Sequence, residues 1–283
     1  PLLRIGLHLE LPNEGWNALH AMRWEAGGPL YPPRDAWIVN NYPPLWFLIE
    51  GTLGRWTGDP IVAGRAVALA SFLWTAAMIA VAVGALVRDR LAAAVAALAF
   101  VATIAVFFGQ FVALAEPQML AHALTTSALA LVVCSHGRGQ GLGSIVGAAL
   151  LVVAGLFVKP VVIAIPIAVT LWLFFFRGRS LALFLAVAAG AALAALALGA
   201  AAFGGGMIAG LLYPRLFTLS RLATNLALVS KLAVPLAFFW WKGKVDLLVL
   251  GDDACEITDF KTGAADEAHK FQVRAYAVMW RLD

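Results

Sequence analysis

Five charged residues in the apolar part of this chain have types and placements suited to chemistry: Glu14, Glu116, Lys159, Arg215 and Arg221. A carboxylate at a membrane surface can be shifted so that it exchanges a proton near neutral pH. Lysine supplies the charge a phosphate needs, and arginine adds a fork that matches two of its oxygens. Charges are costly beside hydrocarbon, so those kept at its edge are functional by default. A second set lies in the last 42 residues: Asp246, Asp259, Lys261, Gln272 and Tyr276. Asp259 and Lys261 are two apart and share one face of a strand. Gln272 and Tyr276 are four apart and share one face of a helix.

The elements that must hold these residues follow from composition. The chain of 283 residues is 62% hydrophobic and 13% charged, with a mean hydropathy of +0.87. A soluble domain is about half apolar and a quarter charged, so this is membrane composition. The net charge of +4 hides an asymmetry: residues 1–241 carry +6 and residues 242–283 carry −2, with half of all the acidic residues. So sharp a shift marks a boundary. Cys134 and Cys255 fall on opposite sides of it and imply no disulfide framework. The opening "PLLRIGLHLELP" is too short and too charged to span a bilayer and lacks the features of a signal peptide. The chain is therefore expected to be a piece at both ends.

A span needs about 20 mostly apolar residues. The candidates are 61–87, 91–108, 118–135, 143–157, 161–176 and 181–202, with a weaker one at 225–241 that contains Lys231 and Pro235. Arg88 and Arg90, Arg138, and Arg177 with Arg179 fall in alternate connections, which the positive-inside rule makes cytoplasmic. Residues 1–60 and the turns at Glu116 and Lys159 then share the outer face. The expected fold is mainly α, a polytopic membrane helical bundle of six or seven spans over residues 61–241. An outer-face loop, 1–60, carries a short interfacial helix from Leu45 to Trp56, and residues 242–283 form a small α+β tail.

The first loop, "NEGWNALHAMRWEAGGPLYP…NNYPPLWFLIEGTLGRWTGDPIVAGRAVALAS", resembles the opening loop and following helix of the GT-C membrane glycosyltransferases. The nearest branches are the protein mannosyltransferases and aminoarabinose transferases. The shared pattern runs from an acidic pair, through an "LY" turn and "NYPPL", to a helix entered through "GR". The resemblance extends over about residues 5–240, with its specific motifs in the first 75. It implies transfer of a sugar from a polyprenyl phosphate carrier to an acceptor, in a multi-pass protein of the bacterial inner membrane. It also implies a loop carboxylate as general base and a basic group on the carrier phosphate. Glu14 falls on the second position of the acidic pair, where Asn13 replaces the first, and Glu116 in "ALAEPQML" matches a second acidic position. Lys159, Arg215 and Arg221 are the outer-face cations expected to meet the lipid phosphate.

Plainer readings stand beside these. Glu14 can be a solvated loop residue, and Glu116-Pro117 a helix start, where an acid and a proline suit the dipole. Arg65 reads as an interfacial anchor. His20 and His122 lack metal-ligand spacing and read as packing or loop residues. The tryptophans read as interface anchors, with Trp16 or Trp46 as alternatives for lining a substrate groove.

In the tail, "KVDLLVL" and "CEITDFK" are two short β runs joined by the turn "GDDA", and "EAHKFQVRAYAVMW" is helical from Glu267. "GKVD", "ITDFKTG" and "QVRAY" in this order resemble the RecB-like branch of the PD-(D/E)XK nucleases. The resemblance implies Asp246 and Asp259 as Mg²⁺ ligands, Lys261 as the residue orienting or activating water, and Gln272 and Tyr276 against nucleic acid or bracing the site. Carboxylate oxygens suit Mg²⁺. The helix before the first strand and the strand after the last helix of that family are missing here. Two strands and one helix bury too little core to stand alone. A chimeric or truncated translation joining two incomplete proteins is therefore expected, with the junction between Asn225 and Lys242; a real fusion is the alternative. A transporter or non-catalytic membrane protein would instead place charges within spans or break helices in pairs.

Overall fold

A computed structural model describes residues 12–33, 38–135, 141–212, 247–250 and 255–258. The chain divides into two units, Pro1–Tyr213 and Pro214–Asp283. The expected span at 225–241, the cations Arg215 and Arg221, and Arg138 lie outside the described residues. So do Asp246, Asp259, Lys261, Gln272, Tyr276 and the expected helix from Glu267.

Among the described residues, the regular elements of the first unit are all helices. Helix α1 (Pro12–Glu25) and α2 (Leu45–Thr57) precede α3 (Pro60–Val87), α4 (Arg90–Phe107), α5 (Gln118–Ser135) and α6 (Leu142–Val158). Next come α7 (Ala164–Phe176), α8 (Gly178–Phe203) and a short α9 (Gly205–Leu211). Four of these, α3, α4, α5 and α8, are long and apolar enough to cross a membrane, while α6 and α7 are shorter apolar helices. Together they form a multi-pass helical membrane unit, because only a helix satisfies its own backbone in lipid.

The boundaries have local causes. Asp59 caps α3, accepting from the N–H groups of Ile61 at 2.8 Å and Val62 at 3.2 Å, with Pro60 in the first turn. Asp89 caps α4 through Leu91 N–H at 2.8 Å. Helix α5 packs between α3 and α6 through small side chains, including Ala121, Thr125 and Ala128. Gly155 of α6 makes this close: a Cβ there would fall 2.7 Å from Thr125 Cγ2. Van der Waals fit of this kind replaces the hydrophobic drive that lipid removes. Helix α4 has no buried residue: Phe100, Val101 and Ile104 pack against the cluster of Ala68 and Phe72, while Leu91, Val95, Leu98 and Val106 are exposed.

The expected short helix from Leu45 to Trp56 is present as α2, to within a residue. Residues Pro12–Glu25 of the expected loop are helical as well, and α2 packs against α1 and α3. Its Trp46 and Phe47 are fully buried, and Gly51 and Gly54 let α1 and Pro60 approach. The expectation of Trp46 as an interface anchor fails because its ring joins the cluster of Leu30, Tyr31, Val158, Val162 and Met207. Trp56, at 81% exposure, keeps the anchoring role open.

In the second unit, β1 (Leu247–Leu250) and β2 (Cys255–Thr258) pair antiparallel in the register Leu247↔Thr258 to Leu250↔Cys255.

Candidate functional site

The site is built on the buried segment between α4 and α5, Val112 to Glu116. Ala113 has φ of 56°, so a non-glycine residue is held in the left-handed region. Helix α1 supplies what holds it. Glu14 Oε1 accepts the Ala115 N–H at 2.9 Å, and Asn17 Nδ2 donates to the Ala115 carbonyl at 3.1 Å. Glu14 and Asn17 are three apart, on one face of α1, so they grip both polar groups of the residue before Glu116.

Glu14 is itself held by Arg65 of α3. Nε donates to Oε1 and Nη2 to Oε2, each at 2.8 Å, with both side chains at most 2% exposed. This corrects two expectations. Arg65 is no interfacial anchor, since its guanidinium lies inside the protein on a carboxylate. Glu14 is no solvated loop residue, and it lines none of the three cavities described below. Gly64 completes the junction, as a Cβ there would fall 2.8 Å from the Ala115 Cβ and 2.7 Å from Glu50 Oε1.

Thus positioned, Glu116 meets Lys159 at the C-terminal cap of α6, with Nζ donating to Oε1 at 2.7 Å. Both residues are buried, and Lys159 Nζ lies 5.4 Å from the centre of the Tyr42 ring. The pair also shows that the α4–α5 and α6–α7 connections lie at one end of the bundle, together with α1.

Glu116 lines two cavities. One, of about 420 Å³, is polar: Asn13, Trp16, Asn17, Val39, Asn41 and Tyr42 share its wall. The other, also about 420 Å³, is mainly apolar, with Ile104, Phe108, Phe111 and Met119. Its polar end carries Gln118, His122 and Lys159 beside Glu116. Gln118 and His122, one turn apart on α5, hydrogen-bond at 2.7 Å between their Nε2 atoms. His122 is thus a cavity residue rather than a packing one. The Gln118–His122 spacing was legible in sequence, but nothing in it aimed that face at a cavity. Trp16 borders the polar cavity, in keeping with one of the alternatives above. A third cavity, of about 550 Å³, lies between residues 29–33, Val39 and Asn40 on one side and α9 on the other, and meets the polar one at Val39.

Two titratable groups sit beneath this layer. Glu50 is fully buried, and neither oxygen meets a donor in hydrogen-bonding geometry. Burial raises its pKa well above the usual carboxylate value, with the Trp46 indole opposing and the Glu14 charge adding. His20 is enclosed between Trp16 and Phe47, with ring centroids at 5.3 and 5.7 Å. Burial, reinforced by the Arg23 charge, lowers its pKa to about 4, so the ring is neutral. Among the described residues no three His, Cys, Asp or Glu side chains gather to hold a metal.

Fold and site together define a multi-pass helical membrane protein with a buried carboxylate–lysine pair between a polar and an apolar cavity. No family model, curated protein or solved structure matches the chain.

Proposed function

We propose that the first unit is the sugar-transferring part of a GT-C-type membrane glycosyltransferase, using a polyprenyl-phosphate sugar as donor, on the outer face of a bacterial inner membrane. The observation that carries this reading is that Glu116 borders both a polar and an apolar cavity, with Lys159 at the polar end of the apolar one. A lipid-linked sugar needs apolar room for its chain, a cation for its phosphate and a base facing the acceptor. The apolar cavity, Lys159 and Glu116 supply these in order. Glu116 is the general base, accepting the acceptor's hydroxyl proton from the polar cavity. Lys159 stabilises the phosphate as it leaves. Glu14 acts through Ala115 as a positioning residue. Arg215 and Arg221 remain candidates for the carrier phosphate.

The test is transfer by the full chain in membrane vesicles from a panel of radiolabelled polyprenyl-phosphate sugars. Glu116→Gln should abolish transfer while leaving insertion intact, since Gln keeps the shape but takes no proton. Full transfer by that variant removes Glu116 from the mechanism. No transfer from any donor, together with no binding of undecaprenyl phosphate, favours a transporter or other non-catalytic membrane protein.

A second reading concerns the tail, as part of a RecB-like Mg²⁺-dependent nuclease. The antiparallel β1–β2 pairing supports it, since that family resemblance requires such a hairpin. Nucleic acid is then a partner of that segment within a complete nuclease.

A further inference from the structure

This inference rests on the glycosyltransferase reading and concerns how that site is switched on. Lys159 holds Glu116 at 2.7 Å, and each residue is only 7% exposed. A carboxylate whose charge is matched by an ammonium is poorly placed to take a hydroxyl proton. A neutral acceptor in the polar cavity cannot separate the pair, because doing so would leave two buried charges without partners. An anion in the apolar cavity can, because it replaces the carboxylate on Lys159 charge for charge. Lys159 borders that cavity directly, and Tyr42 backs its ammonium.

We propose that Lys159 is an exchangeable cation that blocks Glu116 until an anionic lipid-phosphate headgroup enters the apolar cavity and draws it away. Glu116 is then a buried carboxylate beside a second anion and without its cation, a setting that favours taking up a proton. The acceptor hydroxyl supplies it. Its O–H proton moves to the Glu116 carboxylate and its oxygen bonds to the anomeric carbon. The bond from that carbon to the phosphate oxygen breaks, and the electron pair leaves with the phosphate, which Lys159 now faces. The donor must therefore bind before the base is available, and the acceptor cannot be deprotonated at an empty site.

The experiment uses the full chain in nanodiscs and a membrane-permeant carbodiimide, which joins carboxylate to amine only when the two touch. Mass spectrometry reads the Glu116–Lys159 isopeptide, and binding of radiolabelled undecaprenyl phosphate is measured in parallel. The resting chain should form the crosslink, and Glu116→Gln should lack it. Undecaprenyl phosphate should suppress it saturably, over the range in which the label binds, whereas neutral undecaprenol should leave it unchanged. Binding of undecaprenyl phosphate with the crosslink undiminished overturns the exchange but leaves the site reading standing. Absence of any undecaprenyl phosphate binding overturns the site reading itself. A resting chain that forms no crosslink overturns the pairing on which the exchange depends.

Discussion

Breaking the Glu14–Arg65 pair should loosen the segment that carries Glu116. The two bonds of 2.8 Å form a bidentate pair with almost no exposure. Removing one partner of such a buried pair costs about 3–5 kcal/mol, because the other charge stays behind without compensation. Glu14→Gln keeps an acceptor for the Ala115 N–H and should sit near the lower end. Glu14→Leu also leaves that N–H unpaired, which adds about 1–3 kcal/mol. The double variant Glu14→Leu with Arg65→Met exchanges the pair for apolar volume, which in other proteins is often neutral. It should therefore cost little beyond the unpaired Ala115 N–H, about 1–3 kcal/mol, far less than the sum of the single changes. The assay is thermal unfolding of the purified chain in detergent, read by tryptophan fluorescence. A loss of about 3 kcal/mol corresponds to a fall of roughly 6–12 °C for a chain of this size. Single variants within about 1 kcal/mol of the parent, or a double variant that is simply additive, would refute the buried-pair reasoning.

Glu50→Gln should stabilise the chain at neutral pH. A carboxyl whose folded pKa is raised contributes stability that is present below about pH 4.5 and is lost as pH rises through the folded value, so the variant's gain should grow above pH 4.5. Unfolding midpoints at pH 4 and pH 8 check this, and a variant less stable than the parent at pH 8 contradicts it. In the tail, the nuclease resemblance implies Asp246 and Asp259 as the Mg²⁺ ligands. Fe²⁺-generated radical cleavage of the full chain should then cut near both residues and be competed by Mg²⁺; cuts elsewhere, or none, remove the metal-site resemblance.

Sequence alone located the long apolar helices, because a helix that crosses lipid needs about 20 apolar residues and satisfies its own backbone. The expected span 118–135 coincides with α5, and the spans at 61–87 and 91–108 agree with α3 and α4 to within a residue at each end. The Asp59-Pro60 start of α3 was equally local, needing only a side-chain oxygen and a fixed φ. Alternating arginine loops placed Glu116 and Lys159 on one side of the membrane, but as separate candidates. That they are partners was decided by the packing of α5 against α6, which closes a separation of 43 residues to 2.7 Å. The same holds for Arg65, which joins Glu14 across 51 residues once α1 folds over α3. A charge at a helix start looks the same in sequence whether it faces water or an opposite charge. Only the tertiary structure, by deciding which of them lies within reach of a partner and away from solvent, separates an anchor from a buried ion pair.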